Sequence, residues 1–116
     1  MTTTLDNLKP SVRLAIVNPE SGSHSEFGRG VAALCLRVRN LGSLNAAAKD
    51  MGMAYSKAWR IIRETESSLD IALLNRDGAH GSALTEEGNK ILDLYLTLDT
   101  ALQQEAQQHF EQAMKN

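Results

Sequence analysis

Residues 41–63 constrain the fold more than any other stretch of this chain. They read Leu-Gly-Ser-Leu-Asn-Ala-Ala-Ala-Lys-Asp-Met-Gly-Met-Ala-Tyr-Ser-Lys-Ala-Trp-Arg-Ile-Ile-Arg. Ser43 suits an N-cap, its hydroxyl taking a free backbone N–H. The helix that follows, over about 44–51, carries Ala46, Ala47 and Ala48, which favour helix and keep it thin enough for a neighbour to cross closely. Gly52 stands where the chain must turn, and a positive φ is expected there. A second helix is expected over about 54–69, with Ala58, Ile62, Thr65 and Leu69 on one inward face. Lys57, Arg60 and Glu64 follow a separate line. Tyr55 and Ser56 open the helix at its N-terminal end. Two short helices around a glycine, the second bearing cations, have the pattern of a helix-turn-helix, whose second helix meets base edges in the major groove through its N-terminal residues. An ordinary helical corner is the alternative that the pattern alone leaves open.

The flanking segments supply further elements. Val12, Leu14, Ile16 and their neighbours form a β-branched-rich run after Pro10, which predicts a strand over about 11–18. The Asn18–Ser23 stretch reads as a turn, and a short strand or loop near His24–Phe27 leads into the next helix. Met1–Leu8 is polar and Thr-rich, as in a frayed or loosely docked terminus. A helix over about 29–41 places Val31, Leu34, Cys35, Val38 and Leu41 on its apolar stripe. Arg37 and Arg39 lie off it, facing solvent, with phosphate contact the alternative. After the second helix of the motif, Ile71–Arg76 and Ala83–Thr85 flank a polar tip, Asp77-Gly78-Ala79-His80-Gly81-Ser82, and predict a β-hairpin. In that position a hairpin is a wing, from which Arg76 and His80 would reach phosphate or the minor groove.

Thr85 is an expected N-cap for a long last helix, with Glu86 and Glu87 favouring the positive end of its dipole. Gly88 permits close approach of a neighbour. Ile91, Tyr95, Leu98 and Leu102 continue an apolar stripe. A helix over 85–114 would be about 45 Å long, too long to pack wholly on a small domain. A second copy would cover the remainder, so a homodimer is expected through Ile91, Tyr95, Leu98 and Leu102. The alternative is a solvated, Gln-rich tail. The expected architecture is therefore α+β, mainly α: a winged helix-turn-helix with an N-terminal strand over residues 1–84, and a long C-terminal helix over 85–116 belonging to the same domain.

The 116 residues suffice for one domain with a core. The formal net charge is −2, but its distribution is uneven. Residues 27–76 hold eight Lys/Arg against four Asp/Glu, and residues 85–116 hold two Lys against six Asp/Glu. A basic middle and an acidic end suit a protein that shows nucleic acid one face. Cys35 is the single cysteine, so no intramolecular disulfide can form, and its place on an apolar face predicts packing rather than chemistry. No leader or long apolar run is evident, so no membrane contact and a cytoplasmic location are expected.

The residues over 42–59, followed by Leu73-Leu74-Asn75-Arg76 and Leu84-Thr85-Glu86-Glu87-Gly88, resemble the N-terminal winged-helix domain of ModE-type molybdate-responsive transcription regulators. LysR-type regulators share a more distant version. The resemblance covers about residues 11–100. Its most specific part is Tyr55-x-x-Ala58-Trp59. It implies a dimer that binds operator DNA, with the 44–51 helix positioning and the 54–69 helix reading. The chain departs from that family at Ala54, where a Ser is usual, and in a short wing that includes Asp77. The 116 residues also leave no room for the C-terminal molybdate-binding domains of full-length members, so molybdate is not expected to bind this chain.

The leading reading is a sequence-specific regulator of double-stranded DNA, with Ser43, Tyr55, Ser56, Lys57, Arg60, Arg63, Arg76 and His80 as candidate contacts. A winged-helix protein–protein module without DNA binding is the runner-up, favoured by the weakly charged wing and the net charge of −2. Oxyanion sensing at the helix N-termini near Ser43 and Thr85 is explained more simply by capping. Catalysis has no support: His24, His80 and His109 are dispersed, Cys35 faces the core, and Glu86 and Glu87 diverge on a helix. No cofactor or metal is implied.

Overall fold

Phe27 is the residue at which the N-terminal arm joins the core. The computed structural model describes residues 4–22, 25–75 and 82–116. Phe27 is fully buried, and its backbone exchanges two hydrogen bonds of 2.9 Å with Ile16 in an isolated antiparallel bridge. Its ring meets Tyr95 edge-on, with centroids 5.6 Å apart, a favoured geometry for an aromatic pair. The chain then enters α1 (Arg29–Leu41), α2 (Leu44–Asp50), α3 (Tyr55–Leu69), the two-residue strands β1 (Leu74–Asn75) and β2 (Ala83–Leu84), and α4 (Glu86–Lys115). Among the described residues this is a mainly helical α+β fold with four helices and a two-stranded antiparallel sheet, in which Leu74 faces Leu84 and Asn75 faces Ala83.

The core lies where α1 meets α2, α3, α4 and β2. Leu34, Cys35 and Val38 of α1, Ala47 and Ala48 of α2, Ala58 and Ile62 of α3, Leu73 and Leu92 are all essentially inaccessible to water. The expected apolar stripes of α1 and α3 are largely realised, with two differences. Leu41 is exposed, because it is the last residue of α1 and the chain turns at Gly42. On α3 the buried position beyond Thr65 is taken by Ser68, whose hydroxyl donates to the carbonyl of Ser25, while Leu69 is half-buried. That bond fastens α3 to the segment preceding α1.

The strand expected over 11–18 does not form; only Ile16 pairs. The physical reason lies at Val12. Its N–H donates to Oε1 of Gln103 (3.2 Å) and its carbonyl accepts from Nε2 of the same amide (2.6 Å). A side-chain amide on α4 thus does what a neighbouring strand would do. Around Val12 the arm follows the helix instead of pairing with a strand. Residues Leu5–Asn7, expected to fray or dock loosely, form a short 3-10 turn, and Asp6 and Leu8 share a shallow hollow with Phe110 and Met114 near the end of α4. Of the expected hairpin, Leu74–Asn75 and Ala83–Leu84 pair, and residues 76–81, which include Arg76 and His80, lie outside the described residues.

The 30-residue α4 starts at Thr85, whose hydroxyl accepts from the Gly88 N–H (2.8 Å) and donates to the Ala72 carbonyl (2.6 Å). Gly88 is buried against the Leu73 carbonyl, and a Cβ there would overlap that oxygen. Backbone on both sides leaves no flexible group to yield. Gly88→Ala is therefore expected to destabilise the fold by about 1–3 kcal/mol, read as a lower urea midpoint at unchanged m-value.

Candidate nucleic-acid interface

The outward face of α3 is built from its inward one. Ala58, Ile62, Thr65 and Ser68 are buried, and at 3.6 residues per turn this leaves Ser56, Arg60 and Arg63 opposite the core. Tyr55, Ser56, Lys57, Arg60, Arg63 and Glu64 are all exposed. The preceding α2 holds this helix in place. Its thin surface, Ala47 and Ala48, is fully packed, and Gly52 takes φ +67, a conformation that disfavours residues with a Cβ. The Met53 N–H returns to the Ala48 carbonyl (2.9 Å), closing the turn. Ala54 provides no side-chain cap, so the first N–H groups of α3 add their positive dipole end to Lys57.

Two arginines of α1 are engaged by neighbouring helices. Arg37 pairs with Asp50 at 2.7 Å, which ties α1 to the last residue of α2. Arg39 reaches α4, donating to Oδ1 of Asn89 (3.0 Å) and pairing with Asp93 (2.9 Å). Exposed pairs of this kind contribute about 0–1 kcal/mol each, but both lock neighbouring helices in register. Lys57, Arg60 and Arg63 make no ion pair with any described residue. These three cations of α3 thus face outward, with the carboxylate of Glu64 at their edge.

The remaining predicted residues fall elsewhere. Ser43 caps α2, accepting from the Ala46 N–H at 3.1 Å, so its hydroxyl already has a partner. Arg76 and His80 lie outside the described residues. Of the expected dimer stripe, Tyr95 is only 4 % exposed and belongs to the protomer's own core. Burial and the neighbouring Asp99 raise its phenol above the ordinary range, with Arg29 opposing. Ile91 is half-buried beside Ile16 and Ile71. Leu98 and Leu102 are exposed, and Leu94, which the sequence reading passed over, is more exposed still at 53 %. Its four-residue spacing from Leu98 was the available signal. Trp59 was likewise missed as a site residue. It lies one turn from Tyr55, and the two rings meet edge-to-face with centroids 6.2 Å apart.

Cys35 is fully buried, and burial, reinforced by Glu66 and opposed by Arg39, pushes its thiol up to about 12. A group raised in this way favours the folded state below the thiol's ordinary pKa and loses that contribution as pH rises from about 9 to about 12. Among the described residues, no cluster of three His, Cys, Asp or Glu could hold a metal ion, and no helix is long and apolar enough to cross a membrane. Ellman's reagent at pH 8 is expected to modify Cys35 no faster than the protein unfolds, and at once in denaturant. Rapid modification of the native protein would contradict the burial of this thiol.

No curated protein matches the chain. The family model for bacterial regulatory helix-turn-helix proteins of the lysR family matches residues 32–89, which run from α1 through the motif and the hairpin into the first turn of α4.

Proposed function

The chain belongs to the bacterial regulatory helix-turn-helix proteins of the lysR family, and from that premise we propose that it is a dimeric, sequence-specific transcription regulator of the ModE-like kind. The observation that carries the reading is the outward face of α3. Lys57, Arg60 and Arg63 project from it without ion pairs to described residues, beside Tyr55 and Ser56 at the helix's uncapped N-terminus. Arg60 reads a base edge, Lys57 and Arg63 neutralise phosphate, and the β1–β2 hairpin serves as a wing. The ModE-like assignment is supported by Tyr55-x-x-Ala58-Trp59, whereas Leu84-Thr85 before Gly88 fits LysR-type and ModE-type domains alike.

The test is a fluorescence-anisotropy titration against the upstream intergenic DNA and a scrambled duplex at two salt concentrations. Specific binding is expected to weaken with salt by a log–log slope of roughly 0.9 for each phosphate neutralised. Arg60→Ala is expected to reduce operator affinity on the order of tenfold, within the roughly 1–3 kcal/mol assigned to a good base contact, while binding to scrambled DNA changes less. Equal losses on both would make Arg60 a phosphate contact. Absence of binding to either at low salt would favour a protein-interaction module.

Self-association is assigned to α4. Leu94, Leu98 and Leu102 repeat every four residues and are 53, 45 and 37 % exposed, an apolar row along one side of the helix. Two such helices packed antiparallel or crossed would bury these rows against each other. Leu98→Lys is expected to convert a dimer to a monomer in sedimentation equilibrium, with the helical circular-dichroism signal retained. A monomeric wild-type protein, or a dimeric variant, would remove α4 from this role.

A further inference from the structure

The outward face of α3 carries more than charge. Tyr55, Ser56, Trp59, Arg60, Arg63 and Glu64 line an open hollow of about 560 Å³, and its lining is mostly apolar. The Tyr55 and Trp59 rings stand almost perpendicular, at 89°. Tyr55 is 46 % exposed, whereas Trp59 is half-buried and packed against the hydrophobic core. One ring is therefore braced and the other leans on it. This fixes an apolar corner with little rotamer freedom left to lose on binding.

Such a corner has no purpose in phosphate neutralisation, for which the cations suffice. Docked in a major groove, it would be desolvated and would need an apolar group opposite. Base faces are closed off by stacking in a duplex. The major-groove edges of the four bases offer donors, acceptors and a single apolar group, the 5-methyl of thymine. A 5-methylcytosine carries the same methyl at the same place on the ring.

We propose that the Tyr55–Trp59 corner is a receptor for the 5-methyl group of a pyrimidine in the major groove, so that α3 selects a 5-methylpyrimidine at one position of each half-site beside the base read by Arg60. This rests on the reading of α3 as the DNA-reading helix. Arg60 and Arg63 flank the corner and draw in the polyanion, and the corner then discriminates by shape and hydration.

The test begins by selecting tight duplexes from a random pool with the wild-type protein, which separates the two readings. Each thymine of a selected duplex is then replaced by deoxyuridine, which removes the methyl and keeps base pairing. At one thymine per half-site, affinity is expected to fall about fourfold, the value of one buried methyl-sized group. Placing 5-methylcytosine there is expected to bind more tightly than unmodified cytosine by a similar factor. In Tyr55→Ala, an exposed position where folding is not at stake, the deoxyuridine penalty should vanish; Trp59→Phe serves as the second variant and should reduce it. If duplexes are selected but no deoxyuridine substitution matters, the rings pack on sugar and the inference is overturned while DNA binding stands. A penalty unchanged in both variants places the methyl elsewhere and overturns it too. If no duplex is selected over the pool, the DNA reading falls and the inference with it.

Discussion

The arrangement of the C-terminal half of this domain depends on the peptide groups around Leu73. Leu73 is fully buried and belongs to no regular element, so its polar backbone atoms need partners within the protein. The Glu66 carboxylate supplies one, accepting the N–H of Leu73 at 2.7 Å and that of Leu74 at 3.3 Å. The Thr85 N–H supplies the other, donating to the Leu73 carbonyl at 2.9 Å. Gly88 then allows the first turn of α4 to close over that same carbonyl. Three elements are thereby joined: α3 through Glu66, the hairpin through Leu74, and α4 through Thr85 and Gly88. A carboxylate accepting two backbone N–H groups is charge-assisted on both bonds, which makes this junction stronger than its small size suggests. It sets the position of the hairpin relative to α3, which is the relation a two-element DNA contact would require.

A second constraint sets the direction of α3. Ala47 and Ala48 let α1 and α2 approach closely, and the turn at Gly52 reverses the chain without a side chain in the way. Around this packed centre the arginines divide by position. Arg37 and Arg39 of α1 reach α2 and α4 through Asp50, Asn89 and Asp93. Those on α3 lie opposite its buried face and have no such neighbours among the described residues. The difference between a structural and an outward-facing arginine is thus set by which helix has a carboxylate-bearing partner alongside, not by the residue type.

This explains what was legible in the sequence. Ser43 and Thr85 as caps and Gly52 as a turn act within three or four residues of themselves, and those roles were readable because their cause is local, whereas the bond from Thr85 to Ala72 was not. The buried faces of α1 and α3 followed from periodicity. What periodicity does not report is the identity of the covering group. Gln103 meets Val12 across 91 positions, and nothing in a β-branched run reveals that a glutamine will stand in for a strand. Glu66 reads as one more surface acid until its acceptor role is seen. Tyr95 sits on the apolar side of α4, yet Phe27 claims its ring, and the row left uncovered runs through Leu94 rather than Ile91. Trp59 belongs to the stretch that resembles a family motif, but its contact with Tyr55 is what gives it a physical part in the site.

The two ends of α4 show how one helix can serve two purposes along its length. Its first turns complete the core through Leu92 and Tyr95 and are held by Thr85, Arg39 and the Leu73 carbonyl. Farther on, no other helix lies alongside among the described residues, and the N-terminal arm takes that place on one side, clipped by the Gln103 amide, which Asp99 orients at 3.1 Å. Val12 loses no backbone hydrogen bonds by leaving the sheet, because the amide matches a peptide group donor for acceptor. Covering one side with the arm leaves the other, with Leu94, Leu98 and Leu102, as an apolar surface bounded by acids such as Asp93 and Glu105. That boundary bears on orientation. The acidic end of the chain and the cationic face of α3 are carried by different elements, so pairing through α4 would hold two cationic faces in a fixed relation without placing the acids of α4 against DNA.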